Sequence, residues 1–515
     1  MFALFLAAFV AAAWSVEDRN WRLAWLIPVL VATKFVMSAK QDPPVDGRAS
    51  GLKVAVVVPV FNEDVTILQR TLLSILAQTR IPGSVDIIDD GSSSDAAGRL
   101  ARGLSSEFER IGVTYRVTRL TTNRGKREAL GAGFRAAPDA DVYVCIDSDT
   151  QLTRDALGHL ISRFSDPRVT AATGIVLPAN HNRNLLTRLM DLRYAGAFLF
   201  GRASCSALGS VLCCSGAFSA FRGIVVRKHL TDFLSQRVRG RPVTIGDDRR
   251  LTNYCLLEGR AVLERRAVAE TTVPERLGPY LRQQSRWNKS FIRESLWCVQ
   301  HMPWHTTAFY VNMFELTLWL LFTALAIPGF MLVVFVGRHM LVKYLLVSSL
   351  LAYLQATRYF DITGVRRRPP MEKARIFLLA PIYGVIHLVL MVPLRFYSTL
   401  TIASIGWGTR RERAAPALPE LDAEPPPRER AEAPSPRLAS LVHPLGRQTM
   451  VRELVTPRMD TIPAGSVSVA AHLRLSSTPN KGQRSTERFE ELYRELEEML
   501  RTRQSPTARP VVPCP

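Results

Sequence analysis

The chain has 515 residues, room for a large catalytic domain and further segments. Its formal charge of +21 would suit a nucleic-acid binder, but basic residues beside apolar runs are what a membrane protein places on its inner side, so no nucleic-acid partner is expected. Seven cysteines (145, 205, 213, 214, 255, 298, 514) lack CxxC spacing and are odd in number, which reads as free thiols and not a disulfide framework.

Phe2 to Trp14 is apolar but short for a bilayer; Trp21 to Ala39 has about the right length, broken within by Lys34 and carrying Arg22 at its start. No A-x-A-like cleavage site follows, so residues 1–40 read as a transmembrane hairpin with Glu17–Asn20 as its outer turn. Lys40, Arg48 and Lys53 then fall on the cytosolic side.

From 52 to 300 the pattern is α/β. Lys53–Pro59 is a continuous apolar run, as in a buried parallel strand, and Val65–Gln78 has helical spacing. Ser84–Asp89 and Asp141–Ile146 are further strands that end in carboxylates, where open α/β sheets place ligands.

Apolar stretches return at Phe309–Val336, His339–Tyr359 and Ile376–Ile402, within a C-terminal membrane or interfacial region over 305–410. Arg366–Arg368 should be cytosolic. Three full crossings would put Trp407–Arg410 outside, unless Pro381 and Pro393 break the last stretch. Residues 411–515 read as a mostly disordered basic tail, Pro-, Glu-, Ala- and Arg-rich over 414–437, with one amphipathic helix at 485–503.

Asp147 and Asp149 follow a strand one residue apart and can converge on Mg²⁺ or Mn²⁺, hard cations that share such oxygens with substrate phosphates. Asp89–Asp90–Gly91 ends the preceding strand, where a carboxylate can accept from a uracil or ribose. Asn123–Arg127, with Lys126, is a basic loop entering a helix, suited to a diphosphate. In Gly246–Asp247–Asp248–Arg249 one carboxylate can act as general base, with Arg249 holding its partner ionised. Gln283, Arg286 and Trp287 share a helix face at i, i+3, i+4 spacing: a pyrophosphate partner in Arg286 and a sugar-stacking ring in Trp287. Each motif alone also fits a solvated turn, charge cluster or interfacial helix; the consistent order of all of them carries the reading.

That order resembles the processive family-2 glycosyltransferases, most closely the hyaluronan synthases, from about Val54 to Arg410. The resemblance rests on Pro59–Glu63, Gly125–Arg127, Cys214–Gly216, Gly246–Arg249, the run Gln283–Ser295 and Trp407–Arg410. It implies a cytosolic glycosyltransferase-A-type domain set between transmembrane helices of a multi-pass cell-membrane protein. It implies an inverting enzyme that polymerises UDP-GlcNAc and UDP-GlcA and exports the polysaccharide, in contact with membrane lipid. Asp248 would then be the base. Asp90, Lys126, Asp147, Asp149, Gln283, Arg286, Trp287, Trp407 and Arg410 would bind UDP-sugar, with Asp147 and Asp149 holding the metal. Cys214–Gly216 would line the acceptor entrance. The Nod-factor chitooligosaccharide synthases share most of these motifs and use UDP-GlcNAc alone, which is the alternative; a non-catalytic scaffold is opposed by the intact carboxylates. Ala217 after Ser215–Gly216 and the tail beyond Arg411 depart from the family pattern.

Overall fold

The computed structural model describes residues 26–40, 51–238, 240–336, 338–362 and 369–402. The first arm and outer turn of the expected hairpin, Trp407, Arg410 and the whole tail with its 485–503 helix lie outside these residues.

An eight-stranded mixed sheet forms the centre. Its strands are β1 (Val54–Val60), β2 (Ser84–Asp89), β3 (Thr114–Arg119), β4 (Val142–Ile146), β5 (Thr150–Leu152), β6 (Val169–Pro178), β7 (Phe218–Arg222) and β10 (Arg260–Thr271). A separate ribbon of β8 (Arg237–Val238) and β9 (Arg241–Pro242) precedes β10. The spatial order is β3-β2-β1-β4-β7-β6-β10-β5. The expected strands form where their composition places them. β1, β2 and β4 are buried throughout, which fits apolar runs covered on both faces. β1 pairs in parallel with β2 and with β4, Val60 lying beside Asp89 and Val57 beside Cys145. The acidic residues after β2 and β4 therefore emerge at one edge. β7 runs antiparallel to β4, with Phe218 opposite Ile146, so the loop before β7 arrives at that same edge.

Helix α1 spans Leu26–Ala39 and α2 spans Val65–Leu76. Asp64 caps α2 by accepting from the backbone N–H groups of Thr66 and Ile67. α2 ends two residues short of the expected Gln78, whose amide donates instead to Ser74 O at 2.9 Å and Thr153 O at 2.8 Å. The helices that carry or flank the site are α3 (Lys126–Ala136), α4 (Leu185–Ala195), α5 (Asp247–Glu258) and α6 (Leu277–His301).

The later apolar stretches are helical: α7 (Thr307–Val336), α8 (Arg338–Ala356) and a segmented run from Pro370 to Leu400. Pro381 and Pro393 each fall in the first turn of a new helical segment, and a π-turn at His387–Met391 lies between those segments. Proline tolerates that place because its missing N–H would have no intrahelical partner. Among the described residues, Pro370–Leu400 is the one helix long and apolar enough to cross a membrane. Lys34, the charge that interrupts the second apolar run, is buried in an ion pair with Glu315 of α7 at 2.5 Å. Val31, Phe200 and Leu354, distant in the chain, form a buried apolar cluster beside it, with Phe35 and Leu351 packed against them.

Candidate active site

Asp90, directly after β2, is 2% exposed and accepts from the backbone N–H groups of Arg124 and Gly125, both at 2.8 Å. Burial pushes its carboxyl above the ordinary value, and these two donors pull the other way. The side chain thus holds the basic loop in place. The loop feeds α3, whose first residue is Lys126.

Lys126 is the electrostatic centre. Its Nζ lies 2.5 Å from Asp147 Oδ1 and 3.8 Å from Asp247 Oδ2. Burial disfavours its charge, yet Asp147, Asp247 and Asp248 outweigh that and hold the ammonium well above the usual lysine range. Asp149 Oδ1 accepts from Thr271 Oγ1 at 3.0 Å, which ties the end of β10 to the acidic turn after β4. Ser148 between them donates to Glu63 Oε2 at 2.5 Å. Glu63 closes the Pro59–Glu63 motif, and neither it nor Thr271 had been singled out for this site.

Among the described residues, no group of three or more His, Cys, Asp or Glu side chains converges as a ready metal cage. Asp147 and Asp149 are two hard carboxylates, and Asp147 already faces a cation in the Lys126 ammonium. Such a pair fits Mg²⁺ or Mn²⁺, which typically take one or two carboxylates and complete their shell with phosphate and water. The residues present are compatible with the expected metal.

Gly246 has φ +77°, and a Cβ there would lie 2.4 Å from Ser290 Oγ of α6. Glycine lets the chain turn tightly into α5 against α6. That turn sets Asp247 and Asp248 at the N-terminus of α5. Asp248 Oδ1 accepts from Arg249 N–H at 2.8 Å; Oδ2 faces Gly216 N–H at 3.4 Å and the Cys213 thiol at 3.5 Å. The Arg249 guanidinium instead lies over the Phe291 ring at 5.0 Å. The cation beside Asp247 is therefore Lys126, which corrects the expectation for Arg249. Cys214 is buried, with its N–H donating to Thr252 Oγ1 at 2.9 Å, and its neighbour Cys213 meets the carboxylate.

α6 carries Gln283, Arg286 and Trp287. Gln283 Oε1 and Arg286 Nε are buried without a hydrogen bond. Burial holds the Arg286 guanidinium below its usual value, opposed by Asp247 and Asp147, so it senses both acidic clusters. Trp287 is 41% exposed, with its ring 6.0 Å from that of Tyr194 in α4, and offers an open face. Gln284 turns the other way and accepts from Arg193 at 2.5 Å. Arg250 of α5 binds Glu294 of α6 at 2.6 Å, both buried. Arg293 and Asn253 also reach that carboxylate. This network, invisible as a pairing in sequence, locks the helix bearing Asp247 and Asp248 to the helix bearing Arg286 and Trp287. Trp407 and Arg410 lie outside the described residues.

Carboxylates at parallel strand ends, a lysine among them, and an acidic helix start near an Arg–Trp helix are gathered on a glycosyltransferase-A-type α/β fold. Residues 51–290 match the family model described as glycosyltransferase like family 2. The chain belongs to the family-2 glycosyltransferases. It is 38% identical over 370 residues to a hyaluronan synthase of Streptococcus pyogenes, covering 72% of this chain and 86% of that one. An N-acetylglucosaminyltransferase of Neorhizobium galegae is 30% identical over 379 residues, with 72% and 83% covered. Among solved structures, a mannosyltransferase from Pyrobaculum calidifontis in complex with GDP-Man and Mn²⁺ is similar with a TM-score of 0.45 and 17% identity, over 78% of this chain and 96% of that one.

Proposed function

We propose that this glycosyltransferase is a membrane-integrated, inverting, processive synthase that joins UDP-GlcNAc and UDP-GlcA into a hyaluronan-like polymer and exports it. The observation that carries the proposal is the 38% identity to a hyaluronan synthase over 86% of that enzyme's length. The geometry supports it. Asp248 at the start of α5 is the base that takes the acceptor hydroxyl proton. Lys126 and Arg286 face the diphosphate as it leaves, and Trp287 stacks on sugar. Asp147 and Asp149 would hold the divalent cation, which neutralises diphosphate charge when bound. Asp90 contributes by holding the loop that presents Lys126.

α6 also joins the site to the apolar helices. Ser285 and Ser398 share a hydrogen bond at 3.1 Å, and Asn312 of α7 donates to Ser295 O at 3.1 Å. A transfer site bonded directly to α7 and to the Pro370–Leu400 run is what coupling of synthesis to export requires. On this reading residues 52–300 are cytosolic, flanked by the hairpin 1–40 and the region 305–410, and Trp407 and Arg410 close over bound nucleotide from the cytosolic side. Trp407→Ala then abolishes polymerisation in protein that still inserts. Thr409→Cys, in a background without other reactive thiols, is shielded from an impermeant thiol reagent in intact cells; labelling from outside rejects the gate.

Purified protein given each UDP-sugar singly and in pairs should make polymer only from UDP-GlcNAc with UDP-GlcA, and a hyaluronan-specific lyase should degrade it. Polymer from UDP-GlcNAc alone would instead establish the chitooligosaccharide reading, which the rhizobial relative favours.

A further inference from the structure

The thiol of Cys213 lies 3.5 Å from Asp248 Oδ2, beside the Gly216 N–H at 3.4 Å on the same oxygen. Several bonds fix it there. Arg202 Nε donates to Cys213 O at 2.8 Å, and the Arg202 guanidinium rests over the Phe198 ring at 4.2 Å. The next residue, Cys214, donates its N–H to Thr252 Oγ1, which itself donates to Asp248 O at 2.7 Å. The loop before β7 and the first turn of α5 are thus stitched together through Thr252, and the thiol is delivered to the carboxylate.

We propose that Cys213 is a positioning residue for Asp248: its S–H donates to Oδ2 and orients the carboxylate towards the acceptor hydroxyl. This rests on Asp248 being the base. A thiol does this only while protonated, and burial, with the Asp248 charge next to it, pushes Cys213 up to about 11. It is therefore a donor and not a nucleophile at neutral pH. The other groups around this pair are the Lys126 ammonium, the Asp247 carboxylate and the guanidinium groups of Arg202 and Arg249. All of them are unchanged when Cys213 alone is replaced.

The test uses the full chain, with UDP release from UDP-GlcNAc plus UDP-GlcA followed at neutral pH. Cys213→Ala should lower kcat roughly three- to tenfold, as loss of one modest hydrogen bond does. KM for both UDP-sugars should stay as in the wild type. Cys213→Ser, which restores a donor, should recover the rate. A wild-type kcat in Cys213→Ala, or a Ser variant no better than the Ala variant, overturns the inference. If Cys213→Ala does not fold, Cys213→Val replaces it as the donor-free variant. Asp248→Asn is run alongside: if it stays active, the base assignment fails and takes this inference with it. If it is dead while Cys213→Ala keeps the wild-type kcat, this inference alone fails.

Discussion

At the strand ends, Asp90, Lys126, Asp147 and Asp149 each hold a partner within the chain. On α6, Gln283 Oε1 and Arg286 Nε are buried and make no hydrogen bond. A buried polar atom left without a partner costs about 1–3 kcal/mol. A fold that keeps such atoms together on one wall gains from a ligand that supplies the missing partners. The strand-end wall is organised before substrate arrives; the helical wall is completed by it. This difference assigns preorganisation to the first and substrate-dependent stabilisation to the second.

Removal of metal is the strongest way to break the comparison. If the strand-end wall works through Asp147 and Asp149, EDTA should reduce polymer synthesis to background, and Mg²⁺ or Mn²⁺ should restore it. Full activity in chelator, measured as UDP release, would leave Lys126 and Arg286 as the charge clamps and put the decisive electrostatics in amino-acid side chains.

Next in size is Asp248→Asn. It removes the base and keeps the shape, so synthesis should fall by about 10²–10⁴. Binding of UDP, which depends on the other wall, should persist in isothermal titration. Near wild-type polymer output would remove Asp248 from the chemistry. Parallel loss of UDP binding would show that the two walls are not separable.

The two walls also differed in how far sequence could reach them. β1 and β4 were legible because parallel strands buried on both faces read as unbroken apolar runs, and β2 because its Val85, Ile87 and Ile88 lead into a pair of carboxylates. The helical face of Gln283, Arg286 and Trp287 was legible from its i, i+3, i+4 spacing. What could not be read was long-range pairing. Arg250 and Glu294 lie 44 residues apart and meet only because α5 crosses α6. Arg249 looked like the natural neighbour of Asp247, yet helical geometry sends it to Phe291, and Lys126 arrives from a different strand–helix turn. Cys213 stood next to a recognised motif, but only the antiparallel return of β7 brings its thiol to Asp248. The start of the last helical run at Pro370, ahead of the expected Ile376, follows from proline's ease in a helix's first turn, which hydropathy alone does not register.

A smaller effect is expected at Trp287. Its exposed ring offers stacking area without a charge. Trp287→Ala should raise the acceptor-dependent KM or shorten the product by about tenfold, the order of a lost stacking contact of 1–2 kcal/mol. UDP binding should be unchanged. A collapse of kcat with normal product length would instead place the ring against the reacting sugar and make it part of the transition-state wall.

The smallest effect should come from removing the tail. The polar, proline- and charge-rich composition from Arg411 onward provides few apolar side chains to pack against either wall. The motifs that carry the family resemblance end at Arg410, and an alignment to the streptococcal enzyme that takes in 72% of this chain already accounts for 86% of that enzyme. A transferase of this family therefore reaches nearly its full length without needing a segment of this composition. Truncation after Glu412 should leave the rate of UDP release and the product length within about twofold of the full chain, a difference under 0.5 kcal/mol in barrier height. The comparison is made on protein that is inserted and folded, as judged by retained UDP binding. A truncated enzyme that binds UDP but makes no polymer would show that the tail is part of the machinery of synthesis.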